Sequence, residues 1–575
     1  MARRTLLLTP FAVGLVALAF HGVGCAGPTG SIDDPGSDGT GDPGSNPPPG
    51  DTPGPGDDTG TPGTPGVDAG PGGPKDTGSK PGTDTGTPPD PGTDTGTPPP
   101  DPGTDTAPPP PDPTGGLEPV KDLPITEVAV FQGVKVSVEK SGAKVSSRRA
   151  PVVAGRGGIV RAYVTPGSTY SPREVTAVLT ITTGGAARTY TDKKTLSAAS
   201  TDATLGSTFN FTLDGASLGT DSTYSVALMT APGQTATGAV ARYPASGAES
   251  FDAGDTGSVL RVTLVPVQYN ADGSGRLPDT SAAQIELYRA RMMAVYPAKK
   301  VEITLRAPYA YSASISASGT GWSEVLQAIV RLRATDGAPN DVYYFGAFSP
   351  SASFSSFCGG GCVTGLSGLI TSPSDASGRA SVGVGFTGTV SSETMSHEVG
   401  HAHGRSHANC GGASGVDPAF PYTGAGIGVY GYDINTSTLM SPTKYTDMMG
   451  YCSPVWISDY TFGALFTRMN YVSTHPSIHY GADATTRYRF VSVGMDGKLT
   501  WGDDITLAEP PIGEAHTVTY LGADGKVIDT ATGQYYPYND LPGGYMLVPD
   551  PVVSISELHL VGMPAGVESK LKLSP

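Results

Sequence analysis

Hydrophobic and polar residues alternate over short stretches in two parts of the chain, and this pattern predicts strands there. Between residues 124 and 247, runs of β-branched and apolar residues are separated by turn residues, and no long helical period is present. The strand pattern returns from Tyr488 to about Lys572. We therefore expect a β-sandwich before the middle of the chain and a second β-domain after it.

The middle of the chain combines strand and helix patterns. The predicted elements are a strand at 259–267, a helix at 279–296, a strand at 301–305, a helix at 323–334, a strand at 342–345 and a helix at 458–469. The β-α-β-α-β order of the first five predicts an α/β segment.

The first 25 residues have the pattern of an export signal. A basic start at Arg3 and Arg4 precedes an apolar run from Leu6 to Phe20, which is short for a membrane span. Gly24-Cys25 favours a bacterial lipoprotein signal with Cys25 as the lipidated N-terminus, and ordinary cleavage after Ala19 is the alternative. Both interpretations place the mature protein outside the cytoplasm. Membrane contact is expected only through the N-terminal lipid of the first interpretation.

Residues 26–118 consist almost entirely of Gly, Pro, Asp, Thr and Ser, with a repeated Pro-Gly-Thr-Asp-Thr-Gly-Thr-Pro unit. So few apolar side chains cannot offset the entropy of ordering, so a disordered linker is predicted. The whole chain has a net charge of −17. Because non-specific nucleic-acid binding needs a basic face, this charge argues against a nucleic-acid partner.

Candidate chemistry is concentrated between His397 and His407, in the pattern His-Glu-x-x-His-x-x-Gly-x-x-His. Residues four apart on a helix share one face, so His397 and His401 can bind one zinc ion side by side. Gly404 allows a sharp turn that can return His407 as a third ligand. Three protein ligands leave a position for water, which is typical of a catalytic Zn²⁺ site.

This segment resembles the zinc signature of the metzincin metallopeptidases at every fixed position. The resemblance implies an α/β metzincin-like catalytic domain, with a twisted sheet and an active-site helix. The strand patterns on either side predict that all-β sandwich domains flank it. It implies Glu398 as general base, whereas His403 is expected outside the ligand set, near the ligands or at the surface. The expected organisation is 1–25 signal, 26–118 linker, 119–254 immunoglobulin-like sandwich, 255–480 peptidase domain and 481–575 C-terminal β-domain.

Asp447-Met448-Met449-Gly450-Tyr451 resembles the Met-turn of the same clan, which places a methionine beneath the zinc-binding histidines. Met449 is the better match and Met448 the alternative. In the astacin-like and serralysin-like branches, a tyrosine two residues after that methionine binds the metal or stabilises the transition state. The resemblance therefore gives Tyr451 a catalytic role.

Four cysteines besides Cys25 allow three disulfide pairings in an exported chain. The resemblance places Cys410 and Cys452 beside the zinc, so they are the expected pair. Cys358 and Cys362 would then close a small glycine-rich loop. A cysteine zinc site is the alternative, and oxidising conditions argue against it.

Together these features predict an exported zinc endopeptidase that hydrolyses extracellular proteins or glycoproteins. By the resemblance, the substrate binds in extended form along an edge strand at residues 379–386. The alternative is a surface adhesin whose metal site is vestigial. Retention of Glu398 favours the enzyme, since loss of the general base would disable the chemistry most directly.

Overall fold

The structure is a computed structural model, which describes residues 115–234, 237–257, 259–475, 485–551 and 554–573. Among these residues, no helix is both long and apolar enough to cross a lipid bilayer. The predicted export signal, Cys25 and nearly all of the predicted linker lie outside the described residues.

The N-terminal β region forms two antiparallel sheets. Its strands are β1 (Glu118–Pro119), β2 (Ile125–Phe131), β3 (Lys135–Lys140), β4 (Ala143–Lys144), β5 (Gly158–Val164), β6 (Glu174–Thr183), β7 (Ala186–Thr195), β8 (Phe209–Leu213), β9 (Thr223–Thr230), β10 (Arg242–Tyr243) and β11 (Glu249–Ser250). One sheet has the order β4-β3-β2-β5-β8, and the other has β1-β9-β6-β7 with β10 and β11 also paired to β9. In β9, every second side chain is buried, from Tyr224 to Thr230, so the strand faces the core on one side.

The middle region begins with a long strand and contains all the α-helices of the described residues. Its strands are β12 (Leu260–Tyr269), β13 (Val301–Leu305), β14 (Tyr309–Tyr311), β15 (Val342–Phe348), β16 (Gly365–Ser367), β17 (Ala380–Val384), β18 (Gly431–Asp433), β19 (Thr438–Met440), β20 (Thr446–Asp447) and β21 (Val455–Trp456). Its helices are α1 (Ala282–Val295), α2 (Trp322–Thr335), α3 (Phe354–Cys358), α4 (Thr389–Ala402) and α5 (Asp459–Thr474). The predicted helices at 279–296, 323–334 and 458–469 coincide with α1, α2 and α5.

The main sheet of this region has the order β13-β12-β15-β17-β16, with β14 also paired to β12. Its pairings are parallel except that of β16 with β17. The expected substrate edge at 379–386 is therefore wrong, since β17 lies between two strands. The edge strand beside it is β16, which has β17 as its one strand partner in the described part of the chain.

The C-terminal region is a seven-stranded antiparallel sheet with the order β23-β22-β26-β25-β24-β27-β28. Its strands are β22 (Thr486–Val493), β23 (Leu499–Leu507), β24 (Glu514–Leu521), β25 (Val527–Pro537), β26 (Gly544–Pro549), β27 (Glu557–Val561) and β28 (Lys570–Lys572). The loop at residues 538–543, between β25 and β26, returns later as part of the candidate site.

The β regions pack against the main sheet from both sides. One apolar core contains residues of both N-terminal sheets together with side chains of α1, α4 and α5 and of one face of β12 and β15. A second core joins α2 and the other face of these strands to the C-terminal sheet, through residues such as Phe490 and Tyr545. The alternating residues of β12 separate the two cores, with Leu264 in the first and Val265 in the second.

The predicted fold class, an α/β metzincin-like domain flanked by all-β sandwich domains, is wrong. The described residues are mostly β structure, 37% strand against 16% helix, arranged in several sheets and a half-barrel. The assignment of the α/β domain rested on the resemblance and on one segment in which strands and helices alternate. Strand pairings elsewhere, several of them between strands far apart in sequence such as β1 with β9 and β22 with β26, determine the architecture instead.

Candidate metal centre

Helix α4 carries the first half of the predicted motif. Its start is fixed by Gln284 of α1, whose side-chain amide oxygen accepts a hydrogen bond from the backbone N–H of Gly388 at 2.8 Å. The helix ends at Ala402, and Gly404 has a φ of +78°, in the left-handed region that glycine adopts without strain. The chain therefore turns sharply and returns to the helix at His407.

The turn brings His397, His401 and His407 together. The Nε2 atom of His397 lies 3.0 Å from that of His401 and 3.2 Å from that of His407. The side chains of His401 and His407 are fully buried, and that of His397 is 12% exposed. Three ring nitrogens thus converge on one small volume, at spacings that suit ligands of a common ion.

The outer nitrogen of each ring is held by a backbone carbonyl. Nδ1 of His397 lies 2.7 Å from the carbonyl oxygen of Met448, and Nδ1 of His401 and His407 lie 2.6 Å from those of Arg405 and Ser414. A carbonyl only accepts, so each Nδ1 carries a proton, and in the neutral ring the Nε2 atom then keeps the lone pair that a metal binds. Burial also lowers the pKa of His401 well below its ordinary value, which favours the neutral ring that binds metals.

Asp540, which the sequence analysis did not identify, completes the cluster. Ligand atoms of the three histidines and of Asp540 all lie within 4.8 Å of one another. Oδ1 of Asp540 is 3.2 Å from Nε2 of His407, and Oδ2 is buried without a hydrogen bond from any described residue.

This donor set fits a metal ion. It offers three imidazole nitrogens with fixed tautomers and one ionised carboxylate, and zinc prefers these ligand types in a four-coordinate site. The buried Oδ2 atom of Asp540 accepts no hydrogen bond from the described residues, and His401 Nε2 lies 3.5 Å from it. It is a further reason to place a cation here, because a buried carboxylate oxygen without a hydrogen bond is destabilising.

Glu398 follows the first ligand and lies in a cleft beside the cluster. It is 2% exposed. Its carboxylate packs directly on Gly365 of β16, where an added Cβ would lie 2.1 Å from Oε1. The cleft has a volume of about 110 Å³ and is bounded by residues 363–365, by α4 and by residues 448–455. Glu398 therefore points towards the same space that the ligand cluster borders.

The segment after Asp447 packs against helix α4 beside the centre. Both carboxylate oxygens of Asp447 accept backbone N–H groups, from Met449 and from Ser458 at 2.9 Å each. The sulfur of Met449 lies where a side chain on Gly400 would be, 2.7 Å from the position of an added Cβ. Met449 thus contacts the helix directly before His401, while Met448 contributes the carbonyl that orients His397.

Tyr451 lies at the edge of the cluster. Its hydroxyl donates a hydrogen bond of 2.8 Å to Oδ1 of Asp540, and its ring centroid is 4.7 Å from that of His407. Tyr451, which the resemblance suggests as a catalytic residue, therefore lies beside the candidate ligands and is hydrogen-bonded to one of their atoms.

His403 lies outside the cluster, as expected, but in the protein core. It is 2% exposed, its ring stacks on Tyr343 at 4.1 Å, and its Nδ1 donates to the carbonyl of Val399 at 2.7 Å. Burial lowers its pKa to about 3. The expectation of a place near the ligands or at the surface missed this packing role, because the Tyr343 contact comes from β15, far away in sequence.

Both pairs of cysteines that the sequence analysis favoured are disulfide-bonded, Cys358 with Cys362 and Cys410 with Cys452. The second bond joins the chain after His407 to the residue that follows Tyr451. Beside it, the backbone N–H of Ala408 donates to the carbonyl of Met449 at 2.8 Å. Disulfides are typical of proteins outside the cytoplasm.

The arrangement defines a class of site: a buried three-histidine centre on a helix and its return turn, with a glutamate in the adjoining cleft. Comparison with known proteins agrees with a peptidase. Residues 365–453 match the model of the Peptidase M66 family, a metallopeptidase family. That segment contains β16, α4, the three histidines and the Cys410–Cys452 bond, whereas Asp540 lies outside it. A search of curated proteins found no significant match.

Proposed function

We propose that this protein is an exported zinc endopeptidase that cleaves extracellular proteins or glycoproteins bound in extended form. The observation that carries the proposal is the convergence of His397, His401 and His407 beside Glu398, within a segment similar to a metallopeptidase family. Export is supported by the disulfides and by the N-terminal sequence pattern, and Cys25 is the proposed lipid attachment site.

The residues around the cleft have separate roles in this proposal. When bound, zinc would polarise the peptide carbonyl and increase the acidity of a water molecule. Glu398 would accept a proton from the attacking water and transfer it to the leaving amine. Tyr451 would donate a hydrogen bond from its hydroxyl to the oxyanion of the transition state, after its hydrogen bond to Asp540 has been broken. Met449 would support the histidines from below.

Substrate binding by strand addition fits the position of β16. This strand has one strand partner among the described residues, and residues 363–365, which lead into it, border the cleft that contains Glu398. A peptide paired with the other edge would run past the metal centre with its carbonyl groups exposed to Glu398. Backbone pairing favours an extended substrate without requiring a particular side chain.

The test is a peptide-library cleavage assay on the Glu398→Gln and His401→Ala variants. Glu398→Gln should keep the metal and lose activity by about 10²–10⁴-fold, since the amide is nearly isosteric but cannot accept the proton. His401→Ala should lose both metal and activity. A Glu398→Gln protein with activity within about tenfold of wild type would exclude this residue as the base, and full metal content in His401→Ala would exclude it as a ligand.

A further inference from the structure

The loop at residues 538–543, called the Asp540 loop here, joins β25 to β26 and is packed into the candidate metal centre. The backbone N–H of Leu369 donates to the carbonyl of Pro537 at 2.9 Å, and Gly368 forms an antiparallel bridge with Tyr538. The hydroxyl of Ser414 donates to the carbonyl of Asn539 at 2.7 Å. The loop is therefore attached to both sides of the histidine cluster, beside β16 and beside the segment after His407.

The tip of this loop contacts the ligands themselves. The side-chain amide of Asn539 lies 2.8 Å from Nδ1 of His401. The carboxylate of Asp540 lies 3.2–3.5 Å from the Nε2 atoms of His397, His401 and His407. Its side chain is only 6% exposed. A buried carboxylate that faces three imidazole nitrogens, and one of whose oxygens accepts no hydrogen bond within the described part of the chain, has the chemistry of a fourth metal ligand.

We propose that Asp540 closes the metal centre, so that the chain as folded is a latent peptidase that becomes active when the Asp540 loop withdraws. This inference rests on the proposed function. A zinc centre with three protein ligands keeps one position for water or substrate, and a carboxylate as fourth ligand would fill it. Asp540 also engages the hydroxyl of Tyr451 and borders the cleft, so the same residue occupies two groups that catalysis would use.

The position of the loop in the sequence suits a removable inhibitor. Asp540 is 133 residues from His407 and belongs to a hairpin of the C-terminal sheet, not to the motif segment. Each of the three histidines also has a carbonyl partner outside the loop, at Met448, Arg405 and Ser414, which can still orient its ring after the loop withdraws. Withdrawal would leave a three-histidine centre with an open position.

The test uses the full chain with Asp540→Ala, Asp540→Asn and a matched control, Asp529→Ala, which changes an exposed aspartate on β25 of the same hairpin. Each protein is loaded with Co²⁺ and titrated with acetohydroxamate, a small chelating probe, while the visible absorption spectrum is recorded. Both Asp540 variants should change the cobalt spectrum before the probe is added. They should also bind the probe at least about tenfold more tightly than wild type, since the competing ligand is gone. The control should match wild type.

Peptide-library cleavage by the zinc-loaded proteins is the second readout. Activity of Asp540→Ala should exceed that of wild type by about tenfold or more. An unchanged cobalt spectrum and unchanged probe affinity would overturn the proposal, as would parallel loss of metal and activity, which would make Asp540 a required ligand. If the probe binds as expected but no variant cleaves any peptide, the peptidase function and the latency fail, and the assignment of Asp540 as a metal ligand stands.

Discussion

Gly365 offers a direct test of where Glu398 must lie. An alanine there would place its Cβ 2.1 Å from Oε1 of Glu398 and 2.5 Å from Cδ and Cγ. A carbon–oxygen contact needs roughly 3.3 Å, so the carboxylate would have to move by more than about 1 Å. Because Gly365 is not in the left-handed region, the effect of the methyl group is steric. The flexible glutamate side chain can yield while the fold is kept.

Displacement of a catalytic group by about 1 Å can cost roughly 10²-fold in rate, which corresponds to about 2.7 kcal/mol of the activation barrier. Gly365→Ala should therefore reduce kcat by about two orders of magnitude. Metal content should stay at the wild-type value, since the three atoms nearest to an added Cβ at residue 365 all belong to Glu398 and none to a candidate ligand. The change would thus separate positioning of the proposed base from binding of the metal.

The assay measures peptide cleavage and metal content in parallel, in the wild-type and Asp540→Ala backgrounds. Gly368→Ala is the matched control, three residues along the chain. An added Cβ there meets the ring of Tyr545 at 3.4 Å, an ordinary contact, so this variant should keep most of its activity. If Gly365→Ala, with its metal retained, is as active as Gly368→Ala, the placement of Glu398 against β16 does not serve catalysis.

Three further predictions concern the surroundings of the centre. Replacing Cys410 and Cys452 by serine should reduce unfolding stability by about 4 kcal/mol and weaken metal binding, because this bond closes a separation of 42 residues beside the ligands. Replacing Cys358 and Cys362, separated by 4, should cost about 2 kcal/mol and leave the metal in place, as denaturation and chelator competition would show. His403→Phe should retain full metal content by elemental analysis, since this ring packs in the core; metal loss without unfolding would contradict that assignment.

The part of the candidate site that is formed by residues close together in sequence was predictable. His397, Glu398 and His401 are positioned by helix geometry, and Gly404 allows the turn that returns His407. The relative positions of these residues depend on the backbone angles of eleven consecutive residues, so a sequence motif is enough to predict them. The same locality made the helices α1, α2 and α5 predictable, because each has its own periodicity and length.

The strand pairings were harder to predict from the sequence. Strand β7 was not predicted, since its residues are mostly exposed and polar, and it is held by a ten-residue ladder with β6. The order of the sheets and the predominance of β structure also depend on pairings between distant segments. No local pattern specifies these partners, so the α/β fold class inferred from one segment was wrong.

Sequence alone thus identified three histidines that could bind a metal, and tertiary structure decided which other residues reach them. Asp540 sits in a loop with no motif around it, and only the packing of the C-terminal sheet against β16 brings its carboxylate to the histidines. The contact of Gly365 with Glu398 and the core position of His403 likewise depend on tertiary packing. A contact between distant segments depends on how whole sheets and helices are buried against one another. The spacing of residues within a short motif therefore cannot predict it.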